Sequence, residues 1–352
     1  MGETRRINLA LQGGGAHGAF TWGVLDRLLA DEDIEVAGIS GTSAGALNGA
    51  ALKSGWVVGG REGAREMLDW FWSQVSGVRA EDLARWMWPA SPATISRSLE
   101  YSLPYAVGDS LTRVLSPYAW GPFYRNPLES IVRKFDFDCV CAADGPQFFV
   151  CATRVRNGKI RVFTGEELSS DVIMASACLP TLFQAVEIDE AQTGRREGFW
   201  DGGYTGNPAL FPLFSQSLPE DIVVVNINPL EREEVPVSPQ QIQNRINEIS
   251  FNSSLLKELR AIDFVDRLIR QGKLSPDDYR QVRVHIVESH DELMSLGASS
   301  KMNVEWEFLT KLRDLGRAAM TRWLDENFEF VGKRNTVDVR AMFQGIGAEH
   351  QG

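Results

Sequence analysis

A serine between two glycines is the strongest candidate for chemistry in this sequence. Ser43 stands between Gly41 and Gly45 in the pattern G-x-S-x-G. A short apolar run over residues 35–40 precedes it and a stretch of small residues over 44–52 follows, which predicts strand, sharp turn and helix. Such a turn exposes the serine hydroxyl, and the helix behind it points its N-terminus at a developing oxyanion. The pattern therefore predicts a nucleophile elbow.

A glycine-rich loop precedes the serine by about thirty residues. Gly13, Gly14, Gly15 and Gly18 follow a short apolar strand pattern over residues 7–11. The loop also matches G-x-G-x-x-G, the dinucleotide-binding fingerprint, which needs a carboxylate at the end of the second strand to hold the ribose. Here that strand ends without one and runs into Ser43. Consecutive bare backbone amides suit an oxyanion hole, and we favour that interpretation.

A serine nucleophile needs a base, and the chain offers two kinds. Asp201 opens the run Asp-Gly-Gly-Tyr directly after two aromatic residues, although an Asp-Gly turn is common by itself. A triad histidine near the last strand is the alternative, and His285 and His290 flank or follow that strand. His17 lies inside the glycine loop. The four histidines of the chain are His17, His285, His290 and His350.

Together the glycine loop, the G-x-S-x-G elbow and the later Asp-Gly-Gly resemble the patatin-like phospholipase family in order and spacing. A further block, Ala175-Ser176-Ala177-Cys178-Leu179-Pro180, resembles the A-S-x-x-x-P segment of that family. The resemblance covers residues 6–228. Each motif is weak alone, whereas the set is specific.

The resemblance implies a Ser–Asp dyad that hydrolyses lipid esters through an acyl-enzyme. Ser43 would be the nucleophile and Asp201 the proton acceptor. The backbone amides of Gly14, Gly15 and Ala16 would hold the oxyanion. The motif glycines that frame these groups are Gly13, Gly18, Gly41, Gly45, Gly202 and Gly203. No cofactor or metal is implied, and Cys139 and Cys141 do not have a convincing zinc spacing.

One position departs from the family pattern. Many members carry arginine or lysine in the glycine loop where this chain has His17. A neutral imidazole would place less positive charge near the oxyanion or a phospholipid phosphate. Transfer of the acyl group to another alcohol, or hydrolysis of a non-lipid ester such as a storage polyester, is thus an alternative. A catalytically silent module that binds lipid is another.

Alternating short apolar runs and amphipathic stretches predict an α/β fold with a doubly wound, mostly parallel sheet between helices. We expect a catalytic domain over residues 6–228, with an irregular, aromatic-rich insertion or lid at about 56–124. Residues 229–352 should form a helical extension with one late strand, packed on the same domain. The strands are expected at 7–11, 35–40, 147–152, 160–164, 221–227 and 282–287, and the main helices at 19–30, 44–52, 171–177, 238–272 and 302–328.

The charge of the chain restricts its partners. A formal net charge of -11 argues against nucleic acid, which requires clustered lysine and arginine. It also argues against electrostatic attachment to anionic lipid, so any brief membrane contact would rest on apolar and aromatic side chains. The N-terminus lacks a signal-peptide pattern, and the sequence contains no long apolar run. We therefore expect a cytoplasmic protein that visits membranes transiently.

Overall fold

A central sheet organises the protein, which a computed structural model describes at residues 4–77, 116–118, 124–232, 235–275, 278–289, 292–293, 296 and 298–344. The described strands are β1 (Arg5–Leu11), β2 (Ile34–Gly41), β3 (Gln147–Arg154), β4 (Ile160–Thr164), β5 (Val186–Glu190), β6 (Arg195–Asp201), β7 (Asp221–Val225) and β8 (Arg283–Val287). Their order is β5-β6-β3-β2-β1-β7-β8, with β4 paired to β3. Strands β3, β2, β1, β7 and β8 are mutually parallel, whereas β4 and β6 run antiparallel to β3.

Helices cover both faces of this sheet. They are α1 (Gly18–Leu29), α2 (Ala44–Gly77), α3 (Glu129–Val132), α4 (Phe137–Cys141), α5 (Ser170–Ser176), α6 (Pro239–Arg270), α7 (Trp306–Asn327) and α8 (Val339–Gln344). Successive strand residues alternate between the faces: Leu9 and Leu11 pack into one core with α1, α2 and α7, and Ala10 packs into the other with α6 and α8. This confirms the predicted α/β architecture, with a mostly parallel, two-sided sheet and a helical C-terminal part.

Most predicted elements occur within a few residues of their expected positions. The strands expected at 147–152 and 160–164 are present as β3 and β4, which pair antiparallel on either side of Asn157-Gly158. The hairpin of β5 and β6 was not expected from the sequence. Its strands carry charged residues at most positions, so they lack the apolar run by which the other strands were recognised.

The expected start of the irregular insertion is wrong. Helix α2 continues past residue 52 to Gly77, so most of residues 56–77 are helical. It is kinked at Gly59 and Gly60, where the backbone leaves helical geometry. Phe71 and Trp72 are buried there against the core, so packing explains these aromatic residues. The expected insertion also contains Trp86, Trp88 and Trp120, which lie outside the described residues. The expected lid and the expected domain limits therefore stay predictions. Among the described helices, none combines the length and apolar character needed to cross a bilayer.

Candidate active site

Ser43 sits on a strained turn between β2 and α2. Its backbone φ is 53°, and it is the only non-glycine residue with a positive φ in the described part of the chain. A left-handed conformation costs an L-residue about 1–2 kcal/mol, so surrounding contacts must hold it. One of them is visible, since the Ser43 N–H donates to Ser176 Oγ at 2.9 Å. The side chain is only half-buried, and α2 begins at the next residue. This is the geometry of a nucleophile elbow.

The motif glycines let backbones approach one another around Ser43. A side chain at any of five of them would collide with a neighbouring element. The distances from an ideal Cβ are 2.6 Å to Ser43 Cβ at Gly13, 2.7 Å to Ala44 Cβ at Gly18, 2.7 Å to Gly45 O at Gly41, 2.1 Å to Leu11 O at Gly45 and 2.2 Å to Cys151 O at Gly202. The glycine loop therefore lies directly against the serine turn, as its motif predicts.

The glycine loop turns sharply and leaves amides uncommitted. Gly15 has a φ of +60° and is exposed. Among the described residues, the amides of Gly14 and Gly15 donate to no protein acceptor, and Ala16 follows in the same short 3-10 turn. Gly13 is held on both sides: its N–H donates to Asn207 Oδ1 at 2.7 Å, and its carbonyl accepts from Asn228 Nδ2 at 2.7 Å. Free donors thus stand beside Ser43.

Strand register places Asp201 at the same edge of the sheet as Ser43. Gly41 of β2 pairs with Val150 of β3, and Asp201, the last residue of β6, pairs with Ala152 two positions further along β3. The Asp201 N–H also donates to the carbonyl of Cys178 at 2.7 Å. Strand β6 pairs with only the last three residues of β3, and this register brings an aspartate from a distant part of the chain to this edge.

The Asp201 carboxylate is almost fully buried, with 1% of the residue exposed. Burial raises its pKa from 3.8 to about 7, against hydrogen bonds from the Gly203 amide and the Ser43 hydroxyl that favour the ionised form. Oδ1 accepts from Gly203 N–H at 2.7 Å. Oδ2 has no well-aligned donor among the described residues, and the Ser43 hydroxyl stands close by. Contacts of this kind are often poorly aligned before substrate binds.

The two described histidines, His17 and His285, contact residues other than Ser43 and Asp201. His285 is fully buried in β8, where its ring nitrogens contact Asp221 Oδ1 at 3.0 Å and Thr336 Oγ1 at 3.1 Å. Asp221 begins β7, so this pair lies toward the opposite end of the strands from the serine turn. His17 contacts Ser300 Oγ through Nε2 at 2.7 Å. Its burial, and then the charges of Lys301 and Arg232, lower its pKa from 6.5 to about 3. His290 and His350 lie outside the described residues.

Several residues that hold the site were not recognised in the sequence. Asn207 and Asn228 fix Gly13, Ser176 fixes the serine turn, and Lys301 contacts Asn228. Of these, only Ser176 lay within a motif, and the motif does not reveal its contact. The others are single polar residues far apart in the chain, and only folding brings them together.

Fold and site together define an α/β protein with a serine elbow, a glycine loop and a buried aspartate at one edge of its sheet. The chain belongs to the patatin-like phospholipase family, a family of lipid acyl hydrolases, because the family model matches residues 9–214, more than half of its length. VipD from Legionella pneumophila is similar in structure, with a TM-score of 0.34 and 12% sequence identity over 88% of this chain and 67% of VipD. Among curated proteins, none matches the sequence significantly.

Proposed function

We propose that the protein hydrolyses carboxylic ester bonds of lipids with Ser43 as nucleophile and Asp201 as its base. The observation that carries this proposal is the strained, half-buried Ser43 beside a buried carboxylate whose pKa is raised to about 7. A carboxylate with that pKa is a much better proton acceptor than an ordinary aspartate and is still substantially ionised at neutral pH. Strain at Ser43 keeps its hydroxyl directed away from the helix that follows.

The reaction would proceed in two steps. Asp201 accepts the hydroxyl proton as Ser43 Oγ attacks the ester carbonyl, and the amides of Gly14, Gly15 and Ala16 stabilise the tetrahedral oxyanion. Asp201 returns the proton to the leaving alcohol, which leaves an acyl-enzyme. Water then attacks this ester while Asp201 accepts its proton. Asp201 passes that proton to Ser43 Oγ as the bond between Oγ and the acyl carbon breaks, and the fatty acid is released. The residues of the chain supply every group that these steps require.

A fluorophosphonate probe and a lipid substrate test the proposal directly. We expect covalent labelling of Ser43, found by peptide mapping, and release of free fatty acid from lysophospholipid micelles and from a soluble short-chain ester. Acyl transfer, the alternative within enzymes, would give a new ester when a competing alcohol is added. A silent lipid-binding module would bind vesicles but remain unlabelled. Failure of both labelling and fatty-acid release would contradict the proposal.

The raised pKa of Asp201 predicts a particular pH dependence. Only the ionised carboxylate accepts a proton, so kcat/KM should fall about tenfold per pH unit below about 7 and level off above it. The measurement is kcat/KM for the soluble ester between pH 5 and 9. A profile that stays flat down to pH 5 would show that Asp201 is not the base or is not desolvated.

Glu258 provides a control for that profile. Burial also raises its pKa to about 7, against hydrogen bonds from the amides of Phe211 and Leu210. Its Oε2 accepts these bonds at 2.7 and 2.9 Å, and a glutamine oxygen could accept them as well. The Glu258→Gln variant should therefore keep the same pH profile. If the fall of kcat/KM below pH 7 disappeared in this variant, the group that controls the rate would be Glu258 rather than Asp201.

A further inference from the structure

A short C-terminal segment lies on the glycine loop. This segment, Ala298–Met302, forms a 3-10 turn that we call the strap. An ideal Cβ at Gly15 would lie 2.4 Å from the carbonyl oxygen of Lys301, and His17 Nε2 is 2.7 Å from Ser300 Oγ. The strap stands well beyond residues 9–214, the part that matches the family model. Part of the loop environment is therefore supplied by the C-terminal third of the chain.

Two hydrogen bonds connect the strap to the backbone of the loop. Lys301 Nζ donates to Asn228 Oδ1 at 3.0 Å, and Asn228 Nδ2 donates to the Gly13 carbonyl at 2.7 Å. The lysine ammonium has only donors, so the oxygen of the Asn228 amide must face it and the nitrogen must face Gly13. The direction of donation along this relay is thereby determined.

We propose that Lys301 is a positioning residue for ester hydrolysis, acting through Asn228 to polarise the peptide bond between Gly13 and Gly14. This inference rests on the proposed function, in which the Gly14 amide is an oxyanion donor. A hydrogen bond to the Gly13 carbonyl withdraws electrons from that peptide, so the Gly14 N–H becomes a stronger donor. The relay begins at an ammonium group, which strengthens each bond along it.

Lys301 lies among charged groups inside the protein. Burial lowers the Lys301 pKa most, the carboxylate of Glu248 opposes that effect, and the charge of Arg232 lowers the pKa further. Glu248 is itself paired with Arg232 at 2.8 Å and with Arg245 at 3.3 Å. The glycine loop itself carries His17, which is neutral at pH 7 because its pKa is lowered to about 3. Lys301 therefore brings a basic side chain to the glycine loop from a different part of the chain.

The relay also helps to hold the loop in place. Asn228 Nδ2 contacts Gln12 Oε1 at 3.2 Å, and Gln12 Oε1 accepts the amides of Ile227 and Asn228 at 2.9 and 3.0 Å. Polarisation and packing predict different kinetics for the loss of Lys301. A polarising role predicts a loss in kcat with little change in KM, because the oxyanion exists only in the transition state. General loosening of the loop would change both and lower the melting temperature.

The test compares wild type with Lys301→Met on the soluble ester. We expect kcat to fall about ten- to fifty-fold with KM within about twofold, less than the 10²–10³ that loss of a direct oxyanion donor costs. The rate of fluorophosphonate labelling should fall in parallel. Lys311→Met, at an exposed position of α7, is the matched control and should match wild type. A folded Lys301→Met with kcat within twofold of wild type, or a loss confined to KM, would overturn the inference.

A double variant tests whether the two residues act as one unit. Asn228→Leu removes both hydrogen bonds of the relay, so adding Lys301→Met to it should lower kcat by no more than about twofold further. If the losses in kcat of the two single variants multiplied in the double variant, the relay would be overturned. If Lys301→Met fails to fold, Lys301→Gln replaces it. That variant can still donate to Asn228 without the charge, and its kcat should fall at least threefold. An inactive, unlabelled wild type would instead contradict the proposed function.

Discussion

Replacement of Ser43 by alanine is expected to reduce ester hydrolysis by on the order of 10⁴- to 10⁶-fold in a protein that remains folded. The reason is chemical: alanine has no atom that can form the acyl-enzyme, and the oxyanion amides alone give only a small residual rate. Steady-state hydrolysis of the soluble ester, together with fluorophosphonate labelling, measures the loss. Turnover near the wild-type rate in folded Ser43→Ala would end the nucleophile assignment.

Two further variants separate chemistry from backbone strain. Ser40→Ala removes a buried serine three positions earlier, whose hydroxyl donates to the Ala209 carbonyl, and should keep most activity. Ser43→Gly should be as inactive as Ser43→Ala but more stable than it by about 1 kcal/mol, because glycine adopts a φ of 53° without a Cβ clash. Equal melting temperatures for the alanine and glycine variants would show that the turn is not strained.

Replacement of Asp201 by asparagine should lower kcat/KM by on the order of 10³- to 10⁴-fold, since an amide cannot accept the serine proton. The asparagine oxygen can keep the hydrogen bond from the Gly203 amide, so the turn should survive. Hydrolysis of the soluble ester at pH 8, where the wild-type carboxylate is ionised, is the appropriate measurement. A variant with a tenth or more of wild-type activity would indicate a different base.

The same variant should change stability in a pH-dependent way. Folding raises the Asp201 pKa from 3.8 to about 7, so wild type loses stability as pH rises through that interval, in which the carboxylate ionises in the unfolded chain but stays protonated in the folded protein. Asp201→Asn removes this penalty and should be more stable than wild type at pH 8 by roughly 2–4 kcal/mol, with little difference at pH 4. Denaturant unfolding at the two pH values measures it, and a variant less stable at pH 8 would show that the carboxylate is not desolvated.

Asp221 gives the matched control with the opposite sign. Burial raises its pKa, but hydrogen bonds from His285 and the Gly332 amide, with the charge of Arg283, outweigh that effect and hold the pKa below its usual value. The stabilisation that the ionised Asp221 carboxylate gives the folded protein is present above pH 4 and lost as pH falls. The Asp221→Asn variant should therefore be less stable than wild type at pH 8. Folded Asp221→Asn should still hydrolyse the ester. An inactive but folded variant would instead support a base that depends on His285.

Local sequence patterns predicted much of this fold because each depends on neighbouring residues alone. Apolar runs predicted β1, β2, β3, β4, β7 and β8, and helical periodicity predicted α1, α6 and α7 within a few residues. The hairpin of β5 and β6 was missed because its exposed positions carry charges, and its stability comes from pairing with β3. Helix α2 was ended too early, since aromatic residues over 56–77 suggested irregular structure, yet they pack as core.

The sequence by itself determined the chemical candidates: a serine in an elbow motif, a glycine loop before it and an Asp-Gly-Gly turn after it. Motifs of this kind can be recognised in a sequence because steric limits on a sharp turn allow few residue types. Only the tertiary structure decided which groups meet. Strand order and register bring Asp201 to the edge that holds Ser43, and the same folding desolvates its carboxylate. The contact of Lys301 with Asn228 spans 73 positions, and no local pattern encodes an interaction at that separation.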